Sequence, residues 1–134
     1  MRTQSYAGVM LIIALASCGL DDRESDKSLV GTWEVTDTKN GQIVFHGEET
    51  FRSDHSAEWR VSMKRKDGAM HPIFATGTWE VNGGLMICKA LTTDTPDMIP
   101  VGHTTTDRVV RVTQDNFTYI ELRNGQRQTY YRKR

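Results

Sequence analysis

Residues 76–83 read Thr76-Gly77-Thr78-Trp79-Glu80-Val81-Asn82-Gly83, and the alternation within them decides the fold. In an extended chain Gly77, Trp79 and Val81 point to one side, and Thr76, Thr78 and Glu80 to the other. One face is apolar and one is wet. That pattern suits an antiparallel sheet curling on itself, and contradicts a parallel sheet covered on both faces. The run ends in Asn82-Gly83, a dipeptide that tolerates positive φ and favours a tight hairpin.

The same five residues occur earlier, as Gly31-Thr32-Trp33-Glu34-Val35, again ahead of an Asn-Gly pair at Asn40-Gly41. Two copies are too few for a solenoid. They fit a duplicated half-barrel, or one local solution used twice, in which glycine admits another backbone and tryptophan plugs a barrel end. Asp67-Gly68 and Asn124-Gly125 add two more hairpin signals, with looser turns at Ser53 to Ser56 and Gln114 to Asn116. The spacing predicts strands over 29–38, 42–51, 57–66, 69–81, 85–91, 104–113, 117–123 and 127–132, with no segment of helical period. Nearly every link is short, so the expected fold is all-β. It is an antiparallel up-and-down meander of about eight strands that closes into a shallow barrel and so hides its edges.

The beginning of the chain has a different character. Arg2 precedes a short apolar run, Ala7 to Ala16, well below the ~20 residues that span a bilayer but suited to a secretion signal. Its end, Leu15-Ala16-Ser17-Cys18, resembles the lipobox of bacterial lipoproteins at every position. The resemblance implies that residues 1–17 are a signal peptide removed before Cys18, whose thiol and new amine carry acyl chains. Several chains on one cysteine make an effectively permanent anchor in a lipid bilayer. Gly19, where retained lipoproteins resembling this type tend to carry aspartate, favours the outer membrane, with the protein facing the periplasm. Residues 18–28 then form a lipidated cysteine and a polar, extended tether, and residues 29–134 the barrel domain. Cys88 is left alone in the mature chain, in the apolar stretch Leu85-Met86-Ile87-Cys88, and reads as a buried, inert thiol.

The whole chain has 134 residues with Lys+Arg and Asp+Glu balanced at 17 each, so no global field attracts nucleic acid. A further resemblance concerns the fold. Leu29 to Trp33, the turn at Phe51 to Ser56, Gly77 to Gly83 and the closing Tyr130-Tyr131-Arg132 resemble the small lipocalin-like domains of bacterial lipoproteins. By that resemblance Trp33 maps to the plug at the closed end, with Trp79 its counterpart in the echo. Arg132, or less directly Arg127, maps to a lid stacked on the plug. The chain is shorter than lipocalins proper and lacks an evident C-terminal helix.

No catalytic constellation is legible, so a non-enzymatic role is expected, with no cofactor and no metal. His46, His55, His71 and His103 lie far apart, no serine sits in a nucleophile elbow, and Glu48-Glu49 fall on opposite faces of a strand. The expected role is to bind a small apolar or amphipathic ligand in a cup lined by Trp59, Val61, Val110 and Tyr119. Strand alternation places Arg108 and Glu121 in line with these apolar residues, inside the cup or at its mouth, unless a bulge or register shift turns both outward. The alternative is a filled barrel that contacts another envelope protein through its loops. Thr92 to Thr106 is the one long connection, stiffened by Pro96 and Pro100. It carries Met98, Ile99 and Val101, which either close the barrel mouth or meet a ligand or partner. The basic clusters Lys64-Arg65-Lys66 and Arg132-Lys133-Arg134 read as a solvated hairpin tip and terminus.

Overall fold

The computed structural model describes residues 21–134. The signal peptide expected over 1–17, the lipidation of Cys18 and the residue Gly19 lie outside these residues. Eight strands follow in order: β1 (Gly31–Lys39), β2 (Gln42–Phe51), β3 (Ser56–Lys64), β4 (Met70–Asn82), β5 (Leu85–Thr93), β6 (Thr104–Val112), β7 (Asn116–Glu121) and β8 (Arg127–Arg132). Each pairs antiparallel with the next, and β8 returns to β1 through Trp33 opposite Arg132, closing the barrel.

The turns divide the barrel into two ends. The long loop and the hairpins β1–β2, β3–β4 and β7–β8 lie at one end, the mouth. Opposite are the turns β2–β3, β4–β5 and β6–β7 together with both ends of the described chain. The β1–β2 hairpin turns on Asn40 (φ 53°) and Gly41 (φ 74°), the positive-φ pair that its sequence favours. The β4–β5 hairpin instead turns on Gly83 and Gly84, one position later than Asn82-Gly83 implied, because Asn82 still pairs with Leu85.

One expectation is corrected. An extended tether over residues 18–28 gives way to a helix, α1 (Asp22–Leu29), from Asp22 onward. Eight mostly charged residues are too few to form a stable helix alone, so tertiary contacts hold it. Asp21 caps its first turn, accepting from the Arg23 amide at 3.1 Å. The Asp22 carboxylate accepts from the Gly83 and Gly84 amides at 2.9 and 3.0 Å, and Asp26 meets His55 at 2.9 Å. Ser25 and Leu29, one helical turn apart, are buried beneath it.

α1 covers the closed end. Trp33 is fully buried there, and its Nε1 donates to the Leu29 carbonyl at 2.8 Å. The Phe117 ring meets it edge-on, 4.9 Å between centroids. The Arg132 guanidinium lies 4.1 Å from the centre of the Trp33 ring, with Nη1 donating to Val30 and Nη2 to Ser28, both at 3.0 Å. Arg127, the less direct lid candidate, opens β8 as an exposed residue. Trp79 is buried beside Phe51, and its Nε1 donates to the Arg52 carbonyl at 3.0 Å. The two glycines of the echoed sequence serve different neighbours. A Cβ on Gly77 would collide with the Lys89 backbone at the β4–β5 bulge, whereas one on Gly31 would meet the Arg132 side chain.

Candidate functional site

The aromatic packing stops short of the mouth, where a cavity of about 540 Å³ opens inside the barrel. That volume lies within the range of small-molecule pockets. Trp59 and Val61 of β3, Ala75 of β4, Cys88 and Ala90 of β5, Tyr119 of β7 and Tyr130 of β8 line its walls. The alanines leave the space that larger residues would fill. On β2 the inward set is Phe45, Gly47, Glu49 and Phe51, the outward set His46, Glu48 and Thr50. Gly47 makes room for the Phe45 ring and the Tyr130 hydroxyl, which a Cβ there would meet at 3.0 and 3.3 Å.

The frame of β6 is a second correction. Arg108 and Val110 do not line the cup: Arg108 is exposed, and Val110 is 40% exposed. A bulge between Val109 and Arg111 reverses the alternation along the strand. Asp107 and Val109 face inward above it, and Val112 faces inward below it. Trp59, Val61 and Tyr119 do border the cavity, and Glu121 joins them. The expected basic residue in the cup is thus replaced by an acidic one, Asp107, directly opposite Glu121 on β7.

The cup's third carboxylate, Glu49, carries the one buried side-chain polar atom without a partner among the described residues. Its stem borders the cavity and so retains some exposure, but Oε2 is completely buried and has no hydrogen-bond partner. Burial first, then the negative charge of Asp107, pushes its pKa from 4.5 to about 8. The nearby Tyr130 hydroxyl pulls it down, and Glu121 adds to the rise. Asp107 is raised from 3.8 to about 6, by desolvation and then by Glu121. Tyr119, Tyr130 and Cys88 are all raised too, burial leading in each case, so the Cys88 thiol is protonated and unreactive at neutral pH.

A stability prediction follows. A carboxyl whose folded pKa exceeds its unfolded one binds its proton more tightly in the native state, so it favours folding at low pH. That contribution is lost as pH rises, between 3.8 and about 6 for Asp107 and between 4.5 and about 8 for Glu49. The ligand-free domain should therefore melt at higher temperature at pH 5 than at pH 9, and Glu49→Gln should flatten the difference. Thermal unfolding followed by circular dichroism checks it; a Tm that climbs steadily from pH 5 to pH 9 would contradict the acidic cup.

The long loop occupies residues 94–103 between β5 and β6. Ile99 and His103 border the cavity, while Met98 and Val101 are exposed, 46% and 66%. The loop thus sends one apolar side chain over the mouth and presents two to solvent. The loop is tied down by backbone bonds from the Gly102 amide to Ala90 and from the Ala90 amide to His103, at 2.8 and 2.9 Å.

Pairing of β1 with β2 also gathers Glu34, His46 and Glu48, whose potential ligand atoms lie within 4.8 Å of one another on the outer face. The separation of the histidines in sequence gave no sign of this group, which cross-strand register assembles. Lys133 already pairs with Glu48 at 2.7 Å, and Thr36 bonds His46 Nδ1 at 2.8 Å. Two of the three members therefore already have partners on the surface.

No protein-family model matches the chain, and no curated protein matches its sequence. Among solved structures, the barrel is similar to a lipocalin-like protein from Bacteroides uniformis, with a TM-score of 0.50 and 15% identity. That likeness covers 79% of this chain and 99% of the other. The fold is lipocalin-like. A redesigned β-barrel is a weaker match, with a TM-score of 0.44 and 17% identity over 81% of this chain and 94% of its own. At such identities the likeness extends to the lipocalin-like architecture and no further.

Proposed function

We propose that this protein is a non-enzymatic, lipid-anchored envelope protein that holds a small amphipathic molecule in its barrel. The open cavity of about 540 Å³, walled by Trp59, Val61 and Tyr119, carries this reading. A filled interior would have favoured an interaction module instead. The anchor is Cys18, acylated after removal of residues 1–17, with the outer membrane favoured by Gly19. It holds the cup beside a bilayer, where amphipathic molecules concentrate.

Two experiments test the two halves. Titrating the purified protein with N-phenyl-1-naphthylamine, a neutral apolar dye, should give saturable, one-to-one fluorescence enhancement. Filling the cavity with Ala90→Phe should suppress that enhancement while leaving the β-sheet circular dichroism intact. Equal enhancement in the variant would place the dye outside the cup. For the anchor, Cys18→Ala should abolish metabolic labelling with palmitate and leave an unprocessed precursor. Unchanged labelling would remove the anchor from the account.

The exposed Met98 and Val101 support a second reading, in which the loop docks on a neighbouring envelope protein. It differs in its outcome: Met98→Ser with Val101→Ser would cost partner binding and leave dye binding unchanged.

A further inference from the structure

Three carboxylates, Glu49, Asp107 and Glu121, border the same cavity, and the arrangement is unfavourable when the cup is empty. Asp107 and Glu121 are cross-strand partners, a position where like charges repel. Glu49 Oε2 is fully buried with no hydrogen-bond partner, which costs the full desolvation of that oxygen. None of the four ion pairs among the described residues includes these groups; all four lie elsewhere on the surface. The basic side chains that border the cavity, Arg123 and His103, are exposed residues of the mouth. Glu121 is held in place from outside, accepting from Asn124 Nδ2 at 2.8 Å.

We propose that the cup takes an organic amine: an ammonium group seated among Glu49, Asp107 and Glu121, on an apolar body lying against Trp59, Val61 and Tyr119. This rests on the ligand-binding reading above and adds the charge class of the ligand. An ammonium brings N–H donors to the orphaned Oε2 and separates the repelling pair. Its attraction to a carboxylate is stronger at the buried Oε2 than in bulk water. The faces of Trp59 and Tyr119 favour a cation as well. An anionic headgroup would meet repulsion from Asp107 and Glu121, and a neutral alcohol would leave the repulsion between those two in place.

A proton accompanies the binding. Glu49 faces Trp33 and Trp59 from the neighbouring strands, and Cys88, Asp107, Tyr119, Glu121 and Tyr130 from across the barrel. No cation is among those groups. An arriving ammonium therefore converts a largely protonated Glu49 to the carboxylate, and at neutral pH the complex releases a proton to buffer.

Isothermal titration of the purified protein at pH 7.5 with three eight-carbon probes tests the charge class: octylamine, 1-octanol and octanoate. Octylamine should bind at least about tenfold more tightly than octanol, with octanoate weakest. Its heat should depend on the ionisation enthalpy of the buffer. In Glu49→Gln, octylamine should lose its advantage over octanol, with β-sheet circular dichroism like wild type showing that the barrel is intact; an octylamine advantage kept in a folded variant would overturn the assignment. If that variant does not fold, Asp107→Asn serves instead, and must reduce the octylamine-to-octanol affinity ratio at least about threefold. Octylamine binding no tighter than octanol would overturn the amine assignment and leave the cup as an apolar site. Failure of all three probes to bind would overturn both readings.

Discussion

Replacing Trp33 by alanine should destabilise the domain by about 3–5 kcal/mol, the range for truncating a core tryptophan. The ring does more than fill space. It is fully buried, it donates to the Leu29 carbonyl that ends α1, it packs edge-on against Phe117, and it supports the Arg132 guanidinium. Removing it leaves a void at the closed end and frees α1, which has little stability of its own. Urea unfolding should show a much lower midpoint, and amide exchange in residues 22–29 should accelerate more than elsewhere. A midpoint within error of wild type would mean that Trp33 is not the plug. Trp79→Ala should behave similarly, since Trp79 is equally buried against Phe51.

Gly77→Ala should cost more than the ~1–3 kcal/mol usual for overpacking a core. The added carbon would collide with the carbonyl of Lys89, a backbone atom fixed by strand pairing on both sides of the bulge. A flexible side chain could swing aside; this carbonyl cannot, without breaking the β4–β5 register. Gly31→Ala is the informative control. There the obstacle is the Arg132 side chain, but φ of 141° is strained for any residue with a Cβ. It should lower stability and weaken the lid, yet leave the barrel folded. Expression and urea midpoints of the two variants, measured side by side, check the order. A well-folded Gly77→Ala protein would show that β4 and β5 are not so tightly apposed.

These two positions also show what was legible in the sequence. The strands and their hairpins were readable because alternation and Asn-Gly or Asp-Gly pairs are local signals, and the order of the meander follows from the mostly short links. α1 was not readable: its contacts are Asp22 to the β4–β5 turn, Asp26 to His55, and Leu29 beneath Trp33, all made across the fold. Its charged sequence resembles a solvated tether until those partners are present. The inward face of β6 is ambiguous for a different reason. Thr104 to Val112 fits two alternation frames, each mixing charge with valine. The bulge near Val110 uses both, turning Val109 and Val112 inward together and Arg108 outward. Glu49 was within reach. It stands in frame with Phe45, Gly47 and Phe51, and an acidic residue in an otherwise apolar inward row is the signature of a buried carboxyl.

The central claim is that a small molecule enters the barrel itself. Nitrogen-15 chemical-shift mapping of the labelled protein with 1-octanol, a neutral probe, tests it without assuming the ligand's charge. The account predicts saturable shifts clustered at Glu49, Trp59, Ala75, Cys88 and Tyr119, with Ile99 responding as the loop settles over the mouth. No shifts at saturating octanol, or shifts confined to Met98, Val101 and the outer face, would contradict it.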